Sequence, residues 1–195
     1  MRPSMQAERL MVMIESALST AKMQYSDIEY LAVTTGPGSF TGIRIALSVA
    51  KGILYASPQI KSIGVNNFES ALYRLKMQIN SYDSAFIILN AYRKQCYVQE
   101  FKQNTSISVP RLMDNSDVVD LLASKNVSIA CGGSGIAEIY NSIKNIQHLK
   151  ILPRFPIIKA LHIARYADDK INSKKLDPIE PLYIRLPDAI IPRLY

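Results

Sequence analysis

The densest chemical signal in this chain is the run Gly36-Pro37-Gly38-Ser39-Phe40-Thr41-Gly42-Ile43-Arg44. It follows a short apolar stretch, Tyr30-Leu31-Ala32-Val33-Thr34, and opens a long apolar pattern that reaches about Ala56. A glycine-rich turn between a strand and a helix suits an anion, because free first-turn N–H groups and the positive end of the helix dipole meet there. The familiar phosphate patterns nevertheless fail. No Gly-Lys pair completes a Walker loop, and Lys51 lies more than two helical turns further on. In the dinucleotide pattern GxGxxG, counted from Gly36 and Gly38, the third glycine belongs where Thr41 stands. The same glycines also fit a tight turn that needs positive φ. Residue types alone leave both readings open.

Other chemistries have little to draw on. The two histidines, His148 and His162, are far apart in sequence, and no HxxxH, CxxC or Cys/His cluster is present. That argues against a zinc site, so the metal expectation is none. No GxSxG elbow supports a Ser/His/Asp triad. Cys96 and Cys131 are too few for a disulfide framework, and a reducing cytoplasm is the expected compartment. No run of apolar residues is long enough for a membrane helix, and MRPSMQAERL has no signal-peptide core.

The elements that must position the motif follow from composition and period. A chain of 195 residues makes one domain or two small ones. It buries about 70% of its unfolded surface and needs no disulfide or metal to fold. With 48% hydrophobic and 20% charged residues, it is neither disordered, collagenous nor a coiled coil. The net charge is +7, and ten basic against five acidic residues fall within 140–195. Such a segment can meet RNA or an acidic protein face, or simply be solvated.

Residues 4–23 read as an amphipathic helix with Leu10, Met11, Ile14, Ala17 and Leu18 on one face. Residues 39–56 read as a helix apolar around most of its circumference, with Arg44, Ser48, Lys51 and Tyr55 as a narrow polar stripe. Such a helix is buried in a core or at an interface. Ala46, Ala50 and Gly52 would allow close helix approach. Strands are expected over 30–34, 61–65, 85–90, 95–101 and 127–131, with a hairpin tip at Tyr92-Arg93-Lys94. Further helices are expected over 66–79, 114–125, 136–144, and from Pro156 with Ile157, Ala160, Leu161, Ala164 and Ala167 inward. The proline-rich tail from Leu176 should be extended. Alternating strands and helices make the class α/β, in two halves, 1–80 and 81–195, that meet in the polar stretch Asn80–Ser84.

The run from Leu31 to Arg44 resembles the signature of the bacterial TsaB (YeaZ) family of tRNA threonylcarbamoyladenosine biosynthesis proteins. Weaker matches occur in order: the helix before the signature, Asn90–Tyr97 in place of a DAR-type hairpin, Gly132–Gly135, and Pro181-Leu182-Tyr183-Ile184-Arg185. The resemblance implies a fold like that of actin, sugar kinases and heat-shock ATPases. It implies a non-catalytic subunit of the t6A system, not an enzyme, with no cofactor of its own; ATP or ADP and metal belong to partner subunits. The implied partners are a TsaD-like catalytic subunit and a TsaE-like ATPase, with tRNA met through the complex and no membrane. The two helices flanking the signature would bind TsaD or a second copy, through Leu10, Met13, Ile14, Ala17, Ile43, Leu47, Ala50, Lys51 and Leu54. The clustered Lys170, Lys174 and Lys175 would lie near tRNA. The alternatives are a glycoprotease-like peptidase or small-molecule kinase of the same fold, or a direct RNA-binding module using the basic segment.

The chain departs from the family pattern at Asn90, where an aspartate is usual, and at Tyr92, where an arginine is usual. Family members also begin with a strand bearing a D-T-S-like motif, whereas this chain starts almost at the first helix. The expectation is an incomplete first half, with strand 30–34 lacking its neighbours and those neighbours encoded upstream of Met1.

Overall fold

The computed structural model describes residues 3–103, 105–153 and 159–185. Two sheets organise it. The first is a parallel pair, β1 (Tyr30–Gly36) and β2 (Lys61–Asn66), joined by α2 (Phe40–Ala56) and preceded by α1 (Pro3–Ala21). Strand 30–34 is therefore not alone: it runs beside β2 from Tyr30 opposite Lys61 to Thr34 opposite Val65, then bulges before Gly36. On α2 the residues Ile43, Leu47, Ala50 and Ile53 recur at helical spacing and are buried, while Arg44, Ser48, Lys51 and Tyr55 face water. Two strands hold little apolar surface by themselves. Here the pair is covered by α2 on one side and by α6 (Ala160–Asn172) on the other, where Ile63 and Val65 pack on Ile163 and Ala167.

The second sheet has the order β5-β4-β3-β7-β8, with β6 also on β4. Its centre is the antiparallel hairpin of β3 (Ser84–Asn90) and β4 (Gln95–Lys102). β5 (Thr105–Ser106) and β6 (Arg111–Asp114) extend it on one side, and β7 (Ile129–Gly132) and β8 (Leu149–Ile151) run parallel to β3 on the other. β3 is buried on both faces, which explains its unbroken apolar sequence. Ala85, Ile87 and Leu89 meet Phe68, Ala71 and Leu75 of α3 (Asn67–Lys76). Phe86 and Ile88 meet Val118 and Leu122 of α4 (Asn115–Ala123) and Ile136 and Ile139 of α5 (Ile136–Ile143). α3 starts under Asn66, whose Oδ1 accepts the Phe68 N–H at 2.8 Å.

Three expectations change. β8 was not foreseen; three residues, Leu149-Lys150-Ile151, are too short for a periodic signal. On α6 the buried stripe is Ile163, Ala167 and Lys170, while Ala160, Leu161 and Ala164 are exposed; the expected start at Pro156 and Ile157 lies outside the described residues. Gly52 gives no close helix approach, since a Cβ there would meet nothing within 4 Å. The extended tail is observed over 175–185, and its remainder lies outside the described residues.

Candidate functional site

The signature loop is held from three sides. Gly36 ends β1 with φ +107, and a Cβ there would lie 2.9 Å from Ile43 Cδ1 and 3.0 Å from the Leu182 carbonyl. Only glycine fits both that backbone and that space. The Pro37 carbonyl accepts a hydrogen bond from Asn67 Nδ2 at 2.9 Å, tying the loop to the start of α3. Ser39 caps α2: its Oγ accepts from Gly42 N at 3.2 Å and its carbonyl from Ile43 N at 2.9 Å. Ser39 thus takes up donors that an anion would use. This geometry favours the tight-turn reading over a phosphate cradle.

The third support is the C-terminal segment, which crosses both sheets as a strap. Gly64 N donates to the Asp177 carbonyl at 2.8 Å, and Leu182 N donates to the Thr35 carbonyl at 2.8 Å. Gly64 itself lies directly under the Pro178 carbonyl, so a Cβ there has no room. Tyr183 stacks on Phe40 with centroids 5.2 Å apart and accepts from Arg44 Nε at 3.2 Å. The Arg44 guanidinium lies 4.0 Å above the Phe40 ring centroid. Arg185 then reaches the other sheet, donating to Gln95 Oε1 at 2.6 Å. The loop and the Pro181–Arg185 element, separate motifs in sequence, form one structure. Gly38, Ser39, Phe40, Thr41 and Arg44 remain exposed on it.

At the hairpin Asn90 keeps the turn contact and adds one of its own. Asn90 Oδ1 accepts the Tyr92 N–H at 2.7 Å, as an aspartate oxygen would. Its Nδ2 donates to Glu138 Oε1 at 3.0 Å, which an aspartate could not do. Tyr92, Arg93 and Lys94 all have positive φ and form the exposed tip.

The residues expected at a partner surface divide by exposure. Met13, Ala17 and Lys51 are exposed, and Leu10, Ile14 and Leu54 are half-buried. Ile43, Leu47 and Ala50 are buried within the chain, because α2 turns that face onto β1, so they are core rather than contact surface. The lysine cluster also divides. Lys170 is buried and paired with Glu69 at 3.1 Å and with Asp177, so it is not a solvent-facing tRNA contact. Burial pulls the Lys170 ammonium down, but the Asp177 hydrogen bond and the Glu69 charge outweigh it and raise its pKa. Lys174 and Lys175 are exposed.

The two thiols are held neutral within the fold. Burial, with a smaller push from Glu138, raises Cys96 to about 11, and burial raises Cys131 to about 12. Both stay protonated thiols near neutral pH. His148 Nε2 meets the Leu122 carbonyl at 2.9 Å, and His162 faces Arg74 at 2.8 Å. Among the described residues no group of three His, Cys, Asp or Glu side chains is placed to hold a metal ion, and no helix is long and apolar enough to cross a membrane.

A family model described as TsaD, tRNA N6-adenosine threonylcarbamoyltransferase, matches residues 5–133. A TsaB protein from Buchnera aphidicola (Schizaphis graminum) is 30% identical over 99 residues, 51% of this chain and 46% of that protein. The chain belongs to the family that this model describes, and its relatives include TsaB proteins and threonylcarbamoyltransferases. An uncharacterised protein of Mycoplasma genitalium is 32% identical over 136 residues, covering 69% of this chain and 59% of the relative. YeaZ from Pseudomonas aeruginosa superposes with TM-score 0.65 at 17% identity, covering 91% of this chain and 83% of that one. The last likeness establishes the fold, the α/β architecture of YeaZ. The chain spans less than half the length of the curated TsaB relatives it matches.

Proposed function

We propose that this TsaB-type chain is a non-catalytic subunit of the tRNA threonylcarbamoyladenosine system, binding a TsaD-type catalytic subunit through α1 and the outer side of α2. The observation that carries the reading is the uncovered apolar side of α1. Val12 is 64% and Met13 60% exposed, and none of the residues from Gln6 to Ala21 is buried. On the side of α1 that carries Met11 and Glu15, a cleft of about 330 Å³ runs between α1 and α2, lined also by Tyr25, Val49, Gly52 and Ile53. Exposed apolar side chains on α1 and an apolar cleft between α1 and α2 are what an interface core requires.

In this reading the contact residues are Leu10, Val12, Met13, Ile14, Ala17, Lys51 and Leu54. Ile43, Leu47 and Ala50 act behind them by seating α2 on β1. The same face would pair two copies of the chain when the catalytic subunit is absent. A TsaE-like ATPase joins the assembly, and ATP or ADP and metal are held by the partner subunits. tRNA is met through the complex, where Lys174 and Lys175 are the exposed members of the lysine cluster Lys170, Lys174 and Lys175.

Co-purification tests the reading. Tagged chain should retain a TsaD-type subunit, and Met13→Glu should release it while circular dichroism stays unchanged. Retention by the folded variant would move the interface elsewhere.

A further inference from the structure

The first sheet stops short on one side. Lys61 N donates to the Glu29 carbonyl at 2.9 Å, which fixes the alternation of the parallel pair. The N–H and C=O groups of Leu31 and Val33 face β2, and those of Tyr30, Ala32 and Thr34 face away from it. On β2 the outward N–H of Gly64 is taken by the strap. On β1 the strap reaches only the far end, where Leu182 N meets the Thr35 carbonyl. Among the described residues no backbone group pairs with the outward N–H and C=O of Tyr30, Ala32 and Thr34. An edge of this kind is a template for another strand.

The space beside that edge has the shape of a strand. A cleft of about 700 Å³ runs along Tyr30 and Ala32, between Leu10 of α1 on one side and Ala160, Ala164 and Asp168 of α6 on the other. The period of α6 marks Ala160 and Ala164 as an inward face, and the structure turns them to this cleft. A strand laid there is covered on both faces, which calls for an unbroken apolar run. The β1 of a second copy does not suit the cleft. It arrives with its own α2 packed against it, on the side where Leu10 of α1 already stands.

We propose that the chain's own C-terminal segment, centred on Asp188–Ile191, occupies this cleft as an antiparallel third strand on β1. The ten residues 186–195 follow Arg185 and lie outside the described residues. Extended, they reach about 33 Å, against about 17 Å for the stretch Tyr30–Thr34. Arg185 stands three residues from Leu182, hence within about 11 Å of the residue bonded to the end of β1. Ala189-Ile190-Ile191 is apolar without a break. With Asp188 it lies between Pro187 and Pro192, so each of its residues keeps an N–H for the ladder and the prolines fall at the strand ends. Arg193 is the charge complement of Asp168 at the rim of the cleft. The proposal is independent of the scaffold reading, because it concerns the chain alone.

The test is residue-resolved amide hydrogen exchange by nuclear magnetic resonance on the full chain and on Ile190→Asp and Ala164→Glu. Leu31 and Val33 donate toward β2 and report that the sheet is folded, while Ala32 and Thr34 report the cleft. In the unmodified chain Ala32 and Thr34 should exchange at least about a hundredfold more slowly than unstructured amides. Each variant should cost Ala32 and Thr34 about tenfold or more of that protection, while Leu31 and Val33 keep theirs. Ala164 is exposed in the described fold, so a glutamate there leaves folding intact and acts only on what the cleft holds. Rapid exchange at Ala32 and Thr34 in the unmodified chain would overturn the proposal, as would protection that neither variant lowers. Protection that grows with chain concentration, alongside a dimer in light scattering, would give the cleft to a second copy and overturn it equally.

Discussion

Arg44 and Tyr183 stand 139 positions apart in sequence, yet Arg44 Nε donates to the Tyr183 hydroxyl at 3.2 Å. Through that bond the signature loop and the C-terminal strap become one structural unit. Both side chains are exposed, so the coupling should be modest, about 0.5–1 kcal/mol. Denaturant unfolding of Arg44→Ala, Tyr183→Phe and the double variant measures it as a double-mutant cycle. Strict additivity would mean that the contact does not hold the strap.

Two glycines should respond in opposite ways to the same substitution. Gly64 lies under the Pro178 carbonyl with no room for a methyl group, so Gly64→Ala must push the strap away from β2. A loss of about 2 kcal/mol is expected, on the scale of overpacking. Gly52 is in mid-helix on α2 with open space around it. Gly52→Ala should therefore stabilise the chain by about 0.5–1 kcal/mol through helix propensity. Urea midpoints of both variants decide the matter. A neutral Gly64→Ala would show that strap and sheet are not in contact in solution.

The buried thiols set an alkaline limit. Cys131 is fully buried and its pKa is raised by burial to about 12. The unfolded thiol ionises near pH 8.5, so above that pH the unfolded chain has lost a proton that the folded chain keeps. Stability contributed by the neutral thiol is complete below about pH 8.5 and is lost as pH rises toward 12. Cys131→Ala should remove about 1.4 kcal/mol per pH unit from the slope of unfolding free energy in that window. An unchanged slope would show that Cys131 ionises as freely in the fold as out of it.

Much of the fold is legible in the sequence because it rests on local period. The apolar run Ala85–Asn90 reads as a strand, and the residues Ile43, Leu47, Ala50 and Ile53 read as the face of a helix buried in a core or at an interface; the structure buries both. Long-range pairing is what local period does not carry. The sequence presents Lys170 as part of a lysine cluster, because nothing local announces that Glu69 and Asp177 will meet it and let it enter the buried stripe of α6. For the same reason the period puts the inward face of α6 on Ala160, Leu161, Ala164 and Ala167, of which the structure buries only Ala167. Gly64 carries a local signal of long-range packing. A glycine inside a strand pattern marks a close approach of another backbone, and here that backbone is the strap at Pro178. The signature loop was found from its own residues, but its dependence on Tyr183 and Arg185 belongs to tertiary structure alone.

The central claim is that the exposed side of α1 seats a TsaD-type catalytic subunit. The most direct measurement is isothermal titration of that subunit with the unmodified chain, Met13→Glu, and Lys61→Glu on the exposed start of β2 as a control with twice the charge change. Burying an unpaired carboxylate at an interface costs several kcal/mol, on the order of other uncompensated buried charges. Met13→Glu should therefore weaken binding at least about a hundredfold, roughly 2.7 kcal/mol, while Lys61→Glu stays near the unmodified affinity. Equal affinities for all three folded chains, or no binding by the unmodified chain, would contradict the account.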